Sequence, residues 1–184
     1  MIPKNIKSVY RAGAVAVILP AAAVLAAYLS GSILFLDYVH VLLGAIWTGV
    51  DVFYGLIFYF VISSLDAKTR SNIAERLIPM SLFFIPAVSV LTPLAGYVLA
   101  LDQNIWNPYS PVFEAALIVG GILVAVGFLT IVPASALVLK EMVKGDSNQD
   151  RCSRLLMIGS RGALLQLMLQ IAIISIMAYI VVYI

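Results

Sequence analysis

Long uncharged apolar runs alternate with short polar stretches along the chain, and that alternation predicts helices that cross a membrane. Runs long enough to span about 30 Å of hydrocarbon, about 20 residues at helical rise, fall at Ala12 to Ser30, Asp37 to Ile62, Leu77 to Ala100, Val112 to Leu139 and Leu155 to Ile184. Little is left between them for a soluble unit. Residues 1–184 therefore read as one transmembrane domain, an all-α polytopic bundle of five helices. Composition agrees: 63% hydrophobic against 11% charged residues is more apolar surface than one soluble core can hide, so the lipid bilayer is the expected first partner. The first run follows Lys4, Lys7 and Arg11 and shares that layout with a signal peptide; it is read as a retained anchor with Pro20 inside it.

Five spans place the polar stretches alternately on two sides, and the basic residues then sort completely. Lys4, Lys7 and Arg11, then Lys68, Arg70 and Arg76, then Lys140, Lys144, Arg151, Arg154 and Arg161 share one side. The positive-inside bias makes that side cytoplasmic. The expected protein is a multi-pass cell-membrane protein with its N-terminus in and its C-terminus out. Tyr28, Tyr38, Trp106, Tyr109, Tyr179 and Tyr183 fall near the opposite, outer interface. The sequence pI of about 8.7 is thereby explained by topology and anionic lipid, and no nucleic-acid partner is called for. A single cysteine, Cys152, excludes an intrachain disulfide or a cysteine-based metal cluster.

Chemistry concentrates on the second helix. At 100° per residue His40, Gly44, Trp47, Asp51 and Tyr54 fall within a stripe about 80° wide. Asp51 lies about 16 Å along the axis from His40, near the bilayer centre. A charge there costs roughly 2.5–3.5 kcal/mol on the insertion scale, so Asp51 should face a partner, water or a ligand, and be protonated when no cation is near. It reads as a proton relay or ion contact, or as an interhelical hydrogen-bonding group. Gly44, Thr48 and Gly49 equally suit the close approach of another helix, with Trp47 filling the gap. His40, the single histidine, is open to three readings: a haem or copper ligand, a proton carrier, or an interfacial residue.

Glu114, one turn after Pro111, shares the outer depth with Asp37, His40 and Asp102, and Asp37, His40 and Glu114 together form a candidate metal or cation entrance. Helix-end roles compete with that reading: Glu114 suits a helix N-terminus and Asp37 an N-cap. Pro79, Pro86 and Pro93 repeat every seventh residue on the third helix; the two deeper ones free the carbonyls of Leu82 and Ser89, which Ser81, Ser89 and Thr92 are placed to satisfy. Gln166 and Gln170, four apart on the fifth helix, predict interhelical hydrogen bonds, and Arg161 is expected to reach back to the cytoplasmic interface. The stretch Lys140 to Arg154 reads as a polar connector. Gly120, Gly121 and Ala125 permit a homo-oligomer or other membrane subunits.

His40-x(6)-Trp47-x-Gly49 near a helix start resembles a pattern of the copper-resistance D proteins and the HemJ-type protoporphyrinogen oxidases. Ile85-Pro86-Ala87 through Leu91-Thr92 to Gly96 resembles a helix of the HemJ type, and the likeness spans about residues 37–100. The resemblance implies haem b with His40 as an axial ligand, or copper; Trp47 and Tyr54, on the same stripe as His40, are the further candidate cofactor-binding residues. Those families carry more histidines than this chain, so a self-sufficient oxidase is the less expected outcome. Two classes of function follow: a haem- or copper-associated redox protein or subunit of a membrane complex, and a cofactor-free proton or cation pathway through Asp51. A structural subunit is the third.

Overall fold

The computed structural model describes residues 6–144 and 148–184, and among them the regular structure is entirely helical. Lys4 lies outside the described residues. Five rods result: α1, Ile6–Leu29; α2, Ile33–Ser63; α3, Ala67–Asp102; α4, Pro111–Val143; α5, Gln149–Tyr183. Each of α2 and α4 widens into a π turn partway along, at Val52–Phe58 and Gly127–Ile131.

Local chemistry sets the helix starts. Ser32 caps α2, its side chain accepting from the Phe35 amide at 3.2 Å. Asp37 is therefore not an N-cap, as its sequence context suggests, but lies one turn inside the helix. Gly31, at φ +63°, makes the left-handed turn from α1 into α2, a conformation that a side chain disfavours. Pro111 occupies the first turn of α4, where its missing N–H costs nothing, and Glu114 is in the same turn. Helix α3 begins at Ala67 rather than at Leu77, because Asp66 caps it. The Asp66 carboxylate accepts from the Thr69 amide at 3.0 Å and from the Thr69 hydroxyl at 2.6 Å.

Those two bonds hold the Asp66 carboxyl below its ordinary value of 3.8. A group depressed in the folded state contributes fully above its unfolded pKa and loses the contribution as pH falls through the folded one. Hydrogen exchange at the Thr69 amide is accordingly expected to lose protection as pH drops through and beneath 3.8. Asp66→Asn should remove that pH dependence; a profile identical to wild type overturns the assignment.

Among the described residues four stretches are long and apolar enough to cross a membrane: Ile33–Ser63, Ser81–Asp102, Pro111–Val143 and Gln149–Tyr183. The apolar part of α1, Gly13–Leu29, is shorter. Large apolar side chains point outward, Leu34 at 80% and Leu129 at 77% exposure, as hydrocarbon rather than water permits. These features are compatible with a multi-pass membrane bundle. Helices α3 and α5 form its centre: α3 packs on α1, α2, the second half of α4 and α5, while α5 also packs on α4 and on the π turn of α2.

One end is closed by Val24, Leu36, Val39, Leu43, Trp47 and Val88, and beyond them Trp106 sits edge-on between Tyr97 and Phe113. The other end is closed by Ile62, Ala74, Val138 and Cys152, each fully buried. There the expected Lys140 to Arg154 connector is mostly helix, since α4 continues to Val143 and α5 starts at Gln149. Glu141 explains why: buried at the end of α4, it accepts from Lys144 Nζ at 2.8 Å and from Arg151 Nη1 of α5 at 3.0 Å, clamping the two helix ends together.

Candidate functional site

Asp51 is the last residue of α2 before the π turn and is completely buried. Across the interface, Gln170 of α5 donates through Nε2 to Asp51 Oδ2 at 2.6 Å. The other two oxygens of the pair, Asp51 Oδ1 and Gln170 Oε1, are buried without a partner. One turn along α5, Gln166 donates through Nε2 to the Leu123 carbonyl of α4 at 2.9 Å and leaves its own Oε1 unpartnered. Both glutamines thus make the interhelical bonds that their spacing predicts.

Two close approaches build this centre. The backbone of α2 at Gly55 lies so near α5 that a Cβ would fall 2.6 Å from Leu164 Cα and 2.7 Å from the carbonyl carbon of Ala163. Likewise a Cβ on Gly127 would fall 2.7 Å from Gln166 Nε2. Both glycines belong to π turns, and π turns recur where function demands a local departure from α geometry. In α4 the cause is legible, because Pro133 cannot donate to the preceding turn and the ladder widens just ahead of it.

The predicted stripe on α2 does face inward. Gly44 lies beside Thr92 of α3, Trp47 is buried with its Nε1 unpartnered, and Thr92 Oγ1 is unpartnered too. His40 is half-buried, with Nδ1 at 2.9 Å from the Thr92 carbonyl and its ring against Gly96, where a Cβ would fall 2.6 Å from Cε1. A carbonyl only accepts, so Nδ1 is the donor and a neutral ring keeps its lone pair on Nε2. The hydroxyls of α3 do not go where the prolines suggest. Ser81 bonds to the Leu77 and Ile78 carbonyls and Ser89 to that of Pro86, none of them the Leu82 or Ser89 carbonyl that a proline frees.

Tyr54, in the π turn, lines a cavity of about 20 Å³ with Ser81, Ser135, Ser160 and apolar neighbours. Its hydroxyl bonds to the Ser81 side chain, and Ser160 Oγ is buried and unpartnered. That volume and that set of hydroxyls suit one water molecule. Toward the other end the candidate cation entrance is not assembled. Glu114 is exposed and Asp37 half-buried, and among the described residues no three His, Cys, Asp or Glu side chains are grouped to hold a metal ion.

Sequence reasoning located Asp51, Trp47 and Tyr54 on one face but missed the Asp51–Gln170 pairing, the Gly96 seat of His40 and the role of Gly55. Gln170 carried a signal, its spacing from Gln166; the helix it would meet did not show. Set against family models, curated proteins and solved structures, the chain matches none of them.

Proposed function

We propose that this protein is a five-span membrane protein, N-terminus cytoplasmic, that carries protons across the bilayer by way of Asp51. One observation carries the reading: a completely buried carboxyl, satisfied on one oxygen only by Gln170, has its second oxygen unpartnered. Buried polar groups are normally paired, so an acid with an open oxygen at membrane depth is suited to taking up and releasing a proton. Polar stations line up along α2 on either side of it: His40 about 16 Å away along the axis, and Tyr54 with its water-sized cavity about 5 Å beyond on the other side. Asp51 Oδ1 is the atom that binds the transferred proton. Gln170 holds the carboxyl in place through Oδ2 and itself neither gains nor loses a proton.

The test is a pH-gradient assay in liposomes with an entrapped pH-sensitive dye. Wild-type protein should dissipate the gradient, and Asp51→Asn should fall to the rate of empty liposomes. Equal rates for the two proteins overturn the reading.

The five-span orientation rests on the sorting of the basic residues to one end. The apolar part of α1, about 26 Å long at helical rise, is near the hydrocarbon thickness. Cys152 is buried, so engineered cysteines report against a silent background. A membrane-impermeant thiol reagent added to intact cells should label Tyr109→Cys, whose native side chain is 92% exposed, and spare Lys68→Cys. The reverse pattern overturns the orientation.

A second reading has its own observation. The Nδ1 bond to the Thr92 carbonyl leaves His40 Nε2 as the lone-pair nitrogen, the form in which histidine ligates iron, with the ring oriented by its second-shell contact. With the resemblance to HemJ-type proteins over residues 37–100, His40 would hold a haem b through Nε2, and the haem would supply one-electron redox chemistry. Copper fits less well, since Asp37 and Glu114 do not join His40 in a donor set. Purified protein with a Soret band that His40→Ala abolishes supports this reading; no Soret band after expression with added haem removes it.

A further inference from the structure

At the basic end, an open cleft of about 360 Å³ lies between the start of α3 and the first turns of α5. It is lined by Arg70, Ser153, Arg154, Met157, Ile158 and Arg161. No acidic side chain is among them. Arg154, Ile158 and Arg161 stand at i, i+4 and i+7, on one face of α5, and Arg70 comes from the facing helix. The ion pairs found among the described residues both use Glu141, with Lys144 and Arg151; the three arginines of the cleft enter neither. Moreover Arg70 Nε is buried and has no hydrogen-bond partner.

Three arginines line one cleft with no acidic side chain among its lining residues, so their like charges repel, and a buried donor without a partner carries a desolvation penalty. An anion with several acceptor oxygens bound in the cleft offsets both costs. Planar guanidinium forks match phosphate oxygens in bidentate fashion. A carboxylate offers two acceptor oxygens in one plane, whereas a phosphate group, even as a diester, disposes four oxygens tetrahedrally, two of them charged, so that donors can approach it from several sides. We infer that this cleft is a binding site for a phosphate group, held by Arg70, Arg154 and Arg161. The Met157 and Ile158 wall beside the arginines, with Ile158 47% exposed, suits the glycerol and first acyl carbons of an anionic phospholipid. A basic pocket between membrane helices at the cytoplasmic surface is where such headgroups are bound. The site rests on the basic end lying at a membrane interface and not on proton transfer through Asp51, so either can fail without the other.

The experiment compares thermal unfolding of the protein in three settings: nanodiscs of phosphatidylcholine alone, the same nanodiscs with added inorganic phosphate, and nanodiscs containing phosphatidylglycerol. Phosphatidylglycerol should raise Tm by about 3 °C, and Arg154→Gln with Arg161→Gln should cancel the rise. Lys68→Gln with Lys140→Gln removes the same charge from exposed positions at the same end and should keep it. A rise with inorganic phosphate as well makes the phosphate alone sufficient; a rise with phosphatidylglycerol only makes the lipid the source. Absence of any rise, or a rise equally lost in both double variants, overturns the site. Where the arginine pair fails to fold, Arg70→Lys serves instead. It keeps the charge, removes Nε and the fork, and should reduce the rise by at least half if the site is real; an unchanged rise counts against it.

Discussion

Asp51→Asn is expected to abolish proton flux, by at least about tenfold, equivalent to about 1.4 kcal/mol on the barrier, while the protein stays folded. The reason lies in what the substitution keeps. Asparagine has nearly the same shape, and its carbonyl oxygen still accepts from Gln170 Nε2, which reaches Asp51 Oδ2 at 2.6 Å. Only the titratable oxygen goes. Hydrogen bonds between membrane helices are worth about 0.6 kcal/mol on average and at most about 2 kcal/mol, so stability should barely move while transport collapses. Gln170→Leu makes the opposite cut: the carboxyl stays, its single bond is lost, and modest loss of stability should accompany partial flux. Asp51→Leu with Gln170→Leu replaces the polar pair by an apolar one. It should recover the stability that either single leucine loses and carry no flux. If instead all these variants track stability and wild-type protein conducts nothing, the pair is structural glue.

Gly55→Ala should be the most damaging single-methyl change in the bundle. A Cβ there would fall 2.6 Å from Leu164 Cα, and backbone atoms cannot rotate aside as side chains can. The α2–α5 interface must open, at a cost of about 1–3 kcal/mol, and the Asp51–Gln170 bond spans that same interface. The same substitution at Gly49, in the same helix, meets nothing within 4 Å and faces outward. Alanine is favoured over glycine in a helix by about 1 kcal/mol, so Gly49→Ala should be neutral or stabilising. Opposite signs for the two variants in a thermal or denaturant unfolding assay are the expected result; equal effects would mean that the helices do not approach this closely.

The contrast between Gly55 and Gly49 also marks where sequence reading stops. On a helical wheel Gly44, Thr48 and Gly49 form the small-residue seam, yet Gly49 contacts nothing and Gly55 makes the tight crossing. The π turn at Val52–Phe58 intervenes, and no one-dimensional period anticipates a widened turn. Similarly the acids Asp37 and Glu114 share a depth in the sequence but do not gather with His40, because depth fixes only one coordinate of three.

By itself the sequence determined the all-helical class, apolar helices compatible with a membrane bundle, and the inward face of α2. Apolar run length and helical period are both local, one-dimensional quantities. The tertiary structure decided who meets whom. Gln170 finds Asp51 from 119 positions away, His40 finds the Thr92 carbonyl and the bare backbone of Gly96, and Arg70 joins Arg154 and Arg161 around one cleft. Each partnership depends on how two helices cross and rotate against each other, which is set by packing summed over the whole interface and is written in no single segment.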